Sequence, residues 1–264
     1  MFSGFTGSSS NSGTDLGERM LNAVATQSIR HLFTQSDYID VAVRCFPSSK
    51  LLQGSIDSFK MNGRGLVIRR QFEVEEMSFE TDAVAIDFGA VIKGQLRLKQ
   101  PTQAVAQIVL SEAAINRAFE ADLVKKRLCQ IEVDSLMSLS GDEPVSFRDI
   151  QLDLLPENRV KIAAKTDLPN CKEVPIQLKA TLGIERRRRI SFRDPEFDAD
   201  AVPESLRGIA EPLTLAFAQV LDDMVDLDRF DLDGVLLRLN RLETHDKKLV
   251  FSGYAQVEHF PGMG

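Results

Sequence analysis

Four consecutive arginines are the densest charge feature of the sequence. Arg186, Arg187, Arg188 and Arg189 directly follow Glu185. Basic side chains bind anionic lipid headgroups, so this arginine run could dock the protein on a membrane surface. In a strand only two of the four would share a side, because successive side chains point to opposite faces. The alternative interpretation is a solvated edge strand held by salt bridges, with an inward pair that meets carboxylates.

Six aspartates crowd the region after a long apolar helical pattern. A calcium loop built on Gly234 would place Arg229 at its first ligand position and Asn240 at its twelfth, so the spacing does not fit. An acidic turn at the end of the helix is the favoured interpretation. The partial negative charge at the C-terminal end of a helix repels carboxylates there, and pairing with the arginine run would offset that repulsion. The six are Asp222, Asp223, Asp226, Asp228, Asp231 and Asp233.

The other reactive residue types follow no catalytic, metal or cofactor pattern. His31, His245 and His259 are isolated, and the sequence has no GxSxG, HExxH, Walker or GxGxxG motif. The three cysteines are far apart and have no CxxC spacing, so we expect reduced thiols. The sequence therefore predicts no catalytic residue, no metal and no cofactor, and it favours a non-enzymatic function.

The composition is that of an ordinary globular protein. Of the 264 residues, 43% are hydrophobic and 27% are charged, and the net charge of −7 argues against a nucleic-acid partner. No apolar run approaches the roughly 20 residues that span a bilayer. Residues 1–14 do not have the pattern of a signal peptide. We expect a cytoplasmic protein, which is peripheral on a membrane if the arginine run docks there.

The first half of the chain is predicted to form a helix, a β-rich stretch and a second helix. Residues 15–33 have helical apolar spacing, with Asp15 and Glu18 in a capping-box pattern, and Ser111 is predicted to cap the second helix. Residues 72–88 alternate between apolar and polar side chains, and a fully extended strand of this length would span about 56 Å. That span is more than the diameter of a globule of this size, which is about 47 Å. Because good turn residues are absent there, we predict one long strand that bends, in preference to a hairpin.

The second half is predicted to form strands, a long helix and a final hairpin. The apolar residues change from one face of the strand to the other at Arg148 and Asp149, and this parity shift predicts a bulge. Residues 176–184 alternate without interruption, residues 203–227 have an amphipathic helical pattern, and residues 235–257 form two strands. Consecutive strands imply antiparallel pairing. We predict an α+β fold in which a long, strongly bent antiparallel sheet wraps the long helix and leaves an apolar groove or tunnel.

Three stretches resemble the LmeA-type phospholipid-binding family. They are GSIDSF at residues 54–59, the strand-to-helix segment 96–119 with its VLSE sequence, and LVFSGYA at residues 249–255. The similarity extends over residues 15–260. The resemblance implies a fold like that of the tubular lipid-binding (TULIP) domains, in which a bent antiparallel sheet wraps a long helix beside a space for acyl chains. The family motifs are diffuse, so the resemblance implies no individual lipid contact.

These features predict a single lipid-binding domain at residues 15–260, with tails at residues 1–14 and 261–264. We expect it to bind or transfer a phospholipid or glycolipid whose acyl chains lie in the groove, and its oligomeric state stays open. The residues predicted to line the groove are Val84, Ile86, Phe88, Ile176, Leu178, Leu182, Leu213 and Phe217.

Three alternatives remain open at the level of the sequence. The same eight side chains could form an ordinary closed core. The chain could instead be a scaffold that binds another protein through its sheet edges and the arginine run. It could also be an enzyme that acts on lipid, although no motif proposes the reaction.

Overall fold

The computed structural model describes residues 12–225, 227 and 234–259, with side chains from residue 19 onward. The predicted capping box at Asp15 and Glu18 therefore lies outside the described side chains. Four of the six aspartates lie outside the described residues: Asp226, Asp228, Asp231 and Asp233.

The described residues form seven α-helices and twelve strands. The helices are α1 (Ser12–Arg30), α2 (Ser49–Leu52), α3 (Phe88–Ile92), α4 (Glu112–Phe119), α5 (Asp122–Leu128), α6 (Asp134–Ser140) and α7 (Glu204–Met224). The strands are β1 (Tyr38–Arg44), β2 (Ser55–Ile56), β3 (Ser58–Ile68), β4 (Phe72–Thr81), β5 (Val84–Ala85), β6 (Thr102–Ser111), β7 (Phe147–Leu154), β8 (Arg159–Leu168), β9 (Cys171–Glu185), β10 (Arg189–Phe197), β11 (Val235–His245) and β12 (Lys248–Val257).

Two antiparallel sheets contain most of the strands. The six-stranded sheet has the order β1-β3-β4-β6-β12-β11, and the four-stranded sheet has the order β10-β9-β8-β7. A short ribbon pairs β2 with β5. Every pair of neighbouring strands in these sheets is antiparallel. The predicted α+β class with antiparallel pairing is therefore confirmed, although the hydrogen bonds divide the strands between two principal sheets.

The long helix α7 packs against the four-stranded sheet and forms the larger hydrophobic core. Its main partners are β9 and β10. Leu213 and Phe217 on its apolar stripe are fully buried, and the ring centre of Phe217 lies 4.4 Å from that of Phe147 on β7. The predicted packing of the long helix on an antiparallel sheet is confirmed, and the helix is shorter at its C-terminal end than predicted.

A second core forms where α1 packs against β1, at one edge of the six-stranded sheet. Leu21 and Ile29 are buried in it, and Asn22 Oδ1 accepts the N–H of Val43 at 2.7 Å. Leu110 on β6 packs against both cores. The central strands of the six-stranded sheet therefore connect the core around α1 with the core around α7.

Amide side chains join the two sheets by taking the place of strand partners. In the turn between β7 and β8, Asn158 Nδ2 donates to Leu242 O (3.1 Å) and Asn158 Oδ1 accepts from Thr244 N (2.8 Å) on β11. On α4, Asn116 bonds both backbone groups of Leu152 on β7, at 2.7 and 2.9 Å. Each amide bonds two backbone groups, as a neighbouring strand would, and so holds the sheets together.

Two local predictions are confirmed. The register of β7 against β8 shifts between Arg148 and Gln151, and Asp149 has a φ of 54°, as expected of the predicted bulge. Ser111 caps α4, because its hydroxyl accepts the N–H of Ala114 at 3.2 Å.

The prediction of one long strand over residues 72–88 is wrong. β4 ends at Thr81, whose buried hydroxyl accepts the N–H of Phe59 at 3.3 Å. The chain then leaves the six-stranded sheet and pairs with β2 as β5. Asp87 caps α3 by accepting the N–H of Ala90 at 3.2 Å, so Phe88 begins a helix. Residues 72–88 therefore fit within the protein because the strand breaks after Thr81, and not because one long strand bends.

The prediction that the arginine run forms an edge strand is wrong for three of its four residues. Arg186, Arg187 and Arg188 form the turn between β9 and β10, where Arg186 and Arg187 have φ values of 48° and 59°. Arg189 begins β10, which is an edge strand of the four-stranded sheet. The carbonyl of Arg187 accepts the N–H of Leu239 at 2.6 Å, and that of Arg188 accepts the N–H of Leu227 at 2.8 Å. These backbone bonds hold the turn between the end of α7 and β11.

The expected pairing between the arginine run and the acidic segment is present at Arg189. Its Nη2 lies 3.7 Å from Asp223 Oδ1. The neighbouring Asp222 is half-buried, and its Oδ1 accepts the N–H of Phe192 at 2.6 Å. Burial raises the pKa of the Asp222 carboxyl above 3.8, although the Phe192 N–H and the Arg189 charge act in the opposite direction.

Replacing Asn158 by Gly should lower the free energy of unfolding by about 1–3 kcal/mol, because two hydrogen bonds between the sheets are lost. Glycine accepts the left-handed backbone at this residue, where φ is 61°, so the loss reports on the amide. Glu157→Gly is the matched control, since Glu157 also has a φ of 61°. Urea denaturation measures both variants. Equal effects at the two positions would contradict the assigned role of the amide.

Replacing Asp222 by Asn should raise the free energy of unfolding near pH 7. A raised folded pKa means that stability is greatest below the unfolded value of 3.8 and is lost as pH rises through the folded pKa. Asparagine removes the charge, and its Oδ1 can still accept from Phe192. The difference in the free energy of unfolding between this variant and the wild type should vanish below pH 3.8. Asp223→Asn should show no gain, because this exposed carboxylate pairs with Arg189. A stability loss for Asp222→Asn at pH 7 would rule out the account.

Candidate functional site

The six-stranded sheet presents one continuous apolar face across five of its strands. Residues directly opposite each other on antiparallel strands share a face, and the register aligns three rows across β3, β4, β6, β12 and β11. The first row is Phe59, Thr81, Ala104, Ala255 and Leu237; the second is Met61, Phe79, Ala106, Gly253 and Leu239; the third is Gly63, Met77, Ile108, Phe251 and Leu242.

The opposite face of the same strands is largely polar. Lys60 and Glu80 are paired across β3 and β4, with 3.2 Å between Nζ and Oε2. Ser78, Gln107 and Ser252 lie opposite one another on the next strands. This alternation is typical of an antiparallel sheet with one solvated face, so the apolar rows mark the side on which the sheet is covered or binds.

Small residues occupy the middle of the apolar face. Ala104 and Ala106 on β6 lie beside Ala255 and Gly253 on β12. Their short side chains add little apolar bulk to these two strands, and the backbone of Arg238 on β11 lies close to Gly253. We call this strip the trough; it consists of the four small residues and the larger residues that border them, Phe79, Ile108, Phe251 and Leu237.

The borders of the trough are only half-buried, whereas the two cores are closed. Phe79, Ile108, Phe251 and Leu237 all keep intermediate exposure. The main packing partner of α1 is β1, and those of α7 are β9 and β10. The trough therefore lies between the regions that the two long helices cover. Its apolar lining is partly exposed at the borders, while Ala104 and Ala255 in its middle are 2% and 1% exposed.

Two small cavities lie along the trough. The first, next to β5, is lined by Ile56, Phe59, Phe79, Thr81, Val84, Ile86, Leu96, Leu98, Thr102 and Val257. The second is lined by Ala106, Ile108, Leu237, Arg238, Leu239, Phe251, Gly253 and Tyr254. Each measures about 10 Å³, room for about one water molecule, whereas ligand pockets usually hold about 300–1,000 Å³. A lipid would therefore have to open the trough.

The eight residues predicted to line the groove fall into two groups. Val84 and Ile86 line the first cavity, and Phe88 packs half-buried against the core around α1. The other five lie together in the core around α7, with exposures from 0% to 5%: Ile176, Leu178, Leu182, Leu213 and Phe217. Lipid contact by either group stays a prediction.

The small residues of the trough were not predicted from the sequence. A signal for them exists, because small residues recur with the period of a strand at Ala104 and Ala106 and again at Gly253 and Ala255. The second pair lies within the LVFSGYA stretch that resembles the lipid-binding family. Small residues at alternate positions on two strands that pair would have indicated this strip of the sheet.

The arginine run lies beside β11, on the polar side of the six-stranded sheet. Arg187 Nη2 donates to Asn240 Oδ1 at 2.5 Å, and its Cζ lies 5.8 Å from the ring centre of Tyr254. The side chain of Arg186 is 75% exposed. Glu185, Arg186, Arg188 and Arg189 border a polar cleft of about 240 Å³. Membrane docking by the run stays a prediction.

Among the described residues, no helix is both long enough and apolar enough to cross a bilayer. Within the same residues, no group of three or more His, Cys, Asp or Glu side chains is arranged to hold a metal ion.

Comparison with known proteins agrees with the fold. The model of the LmeA-like phospholipid-binding family matches residues 13–253, nearly the whole chain. No curated protein gives a significant match, and no solved structure does. The antiparallel sheets with a packed helix are consistent with the TULIP-like fold that the resemblance implied. The chain therefore belongs to the LmeA-like phospholipid-binding family, and lipid binding is the general function that this membership supports.

Proposed function

We propose that the protein is a non-catalytic phospholipid carrier that holds acyl chains in the trough. The observation that carries the proposal is an apolar face, half-buried at its borders and with small side chains in the middle, on a member of a phospholipid-binding family. Burial of an acyl chain there would be favourable by about 25 cal/mol for each Å² removed from water. The ordering of a flexible chain offsets part of this gain.

Lipid binding requires the borders of the trough to move apart, because its cavities are small. The rings of Phe59 and Phe79 meet edge to face, with 6.2 Å between their centres, next to the first cavity. Met61 and Met77 lie beside Phe79 in the rows of the apolar face. Methionine adapts readily to new packing. We propose that these four side chains rearrange to connect the first cavity with the trough.

The predicted lipid contacts at Val84, Ile86 and Phe88 belong to this opening end. Val84 and Ile86 face the first cavity, and an acyl chain that extends from the trough would reach them there. Contact by the residues around α7 requires a second opening between α7 and β9, and it stays a prediction with its own test below.

The trough recognises acyl chains, so the proposal covers a phospholipid or a glycolipid. Transfer of that lipid between membranes is part of the proposal, and it requires contact with a membrane surface. The arginine run is one candidate for that contact, because Arg186 is exposed beside a polar cleft wide enough for a headgroup phosphate. A cytoplasmic location remains a prediction from the sequence.

Replacing Ala106 by Leu should remove bound lipid while the melting temperature changes little. The new side chain would lie in the trough, in space that an acyl chain fills when lipid is bound. Native mass spectrometry of gently purified protein measures bound phospholipid, and calorimetry measures the melting temperature. Gln107→Leu is the control, since it adds the same side chain one position along the strand, on the polar face.

Equal lipid content in the two leucine variants and the wild type would contradict binding in the trough. Leu182→Trp tests the alternative groove around α7. Leu182 is 5% exposed in that core, so overpacking should cost about 1–3 kcal/mol and leave the lipid content unchanged. Lost lipid with an unchanged melting temperature for this variant would move the binding site to the groove between α7 and β9.

A further inference from the structure

The three most exposed large hydrophobic side chains among the described residues lie in two neighbouring loops. Phe46, Leu52 and Ile92 are 70%, 69% and 65% exposed. Their loops, residues 45–57 and 82–101, connect strands at one end of the six-stranded sheet, since β1 pairs with β3 and β4 with β6 at that end. We call these two loops the loop end.

Backbone hydrogen bonds tie the two loops of the loop end to each other. The N–H of Ile86 donates to Gly54 O at 2.8 Å, next to the β2–β5 ribbon. Within the second loop, the N–H of Lys99 donates to Ala85 O at 2.9 Å. The exposed apolar side chains are therefore carried by a connected unit. Exposed hydrophobic residues that recur together on one surface indicate an apolar partner.

The charge of the loop end identifies the kind of apolar partner. The loop end has four basic residues and three aspartates, a net charge of +1 in a chain with a net charge of −7: Lys50, Lys93, Arg97 and Lys99 against Asp57, Asp82 and Asp87. Lys50 is paired with Asp57. The other three basic side chains lie in residues 88–101, which contain no acidic residue, and all three are exposed. Exposed apolar side chains beside basic residues are the combination that binds an anionic bilayer, in which the apolar groups enter the acyl region and the cations remain among the headgroups.

The loop end is continuous with the trough. Its own residues Ile56, Val84, Ile86, Leu96 and Leu98 form one side of the first cavity, and residues of the six-stranded sheet form the other. The same loops therefore present apolar side chains to solvent on the outside and close the trough on the inside. A bilayer that binds the outside of the loop end would lie next to the first cavity.

We infer that the loop end inserts Phe46, Leu52 and Ile92 into an anionic lipid bilayer and is the route by which lipid reaches the trough. The insertion stands on exposure and charge alone. The route for lipid rests on the function proposed above.

Tryptophan substitution tests the insertion directly, because the chain contains no tryptophan. Leu52→Trp and Ile92→Trp each give one fluorescent reporter at the loop end, and Val105→Trp gives one on the polar face of the sheet, where Val105 is 57% exposed. With phosphatidylcholine vesicles that contain phosphatidylglycerol, the two loop reporters should shift to shorter wavelength and be quenched by brominated acyl chains. Val105→Trp should do neither. No shift at the loop reporters, or an equal shift at Val105→Trp, would overturn the inference.

Flotation with the same vesicles tests how much the three exposed side chains contribute to membrane binding. The triple variant Phe46→Ser, Leu52→Ser and Ile92→Ser should lower the vesicle partition coefficient by more than about tenfold, since three exposed side chains lose their burial in lipid. The variant Arg186→Gln with Arg188→Gln is the comparison for the arginine run. An unchanged partition coefficient in the triple serine variant, with a loss in the glutamine variant, would transfer docking to the arginine run.

A monomeric lipid separates the inserted surface from the carrier function. Dihexanoylphosphatidylcholine below its micelle concentration offers acyl chains without a membrane, so the triple serine variant should bind it as the wild type does. Failure of both proteins to bind this lipid would contradict the trough, while tryptophan insertion would still support docking. A selective loss of monomeric lipid in the triple serine variant would mean that these residues bind lipid instead of inserting into the membrane.

Discussion

An apolar sheet face has to be covered, and the structure depends on how the face of the six-stranded sheet meets this requirement. The two long helices pack mainly elsewhere: α1 on the edge strand β1 and α7 on the four-stranded sheet. The central strands are left with half-buried Phe79, Ile108 and Phe251 around a strip of alanine and glycine. The chain belongs to a phospholipid-binding family, and in the proposed function an acyl chain completes this face.

Polar contacts hold the two sheets together outside the hydrophobic cores. Asn158 and Asn116 join the four-stranded sheet to β11 and α4 through hydrogen bonds to backbone groups. The arginine run adds a second link, because its carbonyls accept N–H groups from Leu239 on β11 and from Leu227, which follows α7.

Much of the fold could be predicted from local patterns. The alternation of residues 176–184, the parity shift at Arg148 and the cap at Ser111 report on neighbouring residues, and each was confirmed. The break after Thr81 could not be predicted in the same way, because it depends on a hydroxyl bonded to β3 and on the pairing of β5 with β2. The turn at Arg186 and Arg187 likewise has no turn sequence; contacts with β11 and the end of α7 hold its left-handed backbone.

The binding site is harder to predict than the fold, because the sequence contains several strands with the same apolar alternation. Leu178 and Leu182 on β9 follow the period of a half-buried strand as clearly as Phe79 does, yet α7 covers β9. Which apolar face is not covered by a long helix depends on where each helix docks, and that is a long-range property. Ala104, Ala106, Gly253 and Ala255 indicate the trough only after the register pairs β6 with β12.

The most direct test of this account is photo-crosslinking with a phosphatidylglycerol that carries a diazirine near the end of its acyl chain. Peptide mapping of the labelled protein would locate the acyl chain on the strands. The account predicts labels on β4, β6, β11 and β12, concentrated at Phe79, Ile108, Phe251 and Leu237. Labels concentrated on β9 and α7, at residues such as Leu178 and Phe217, would contradict it.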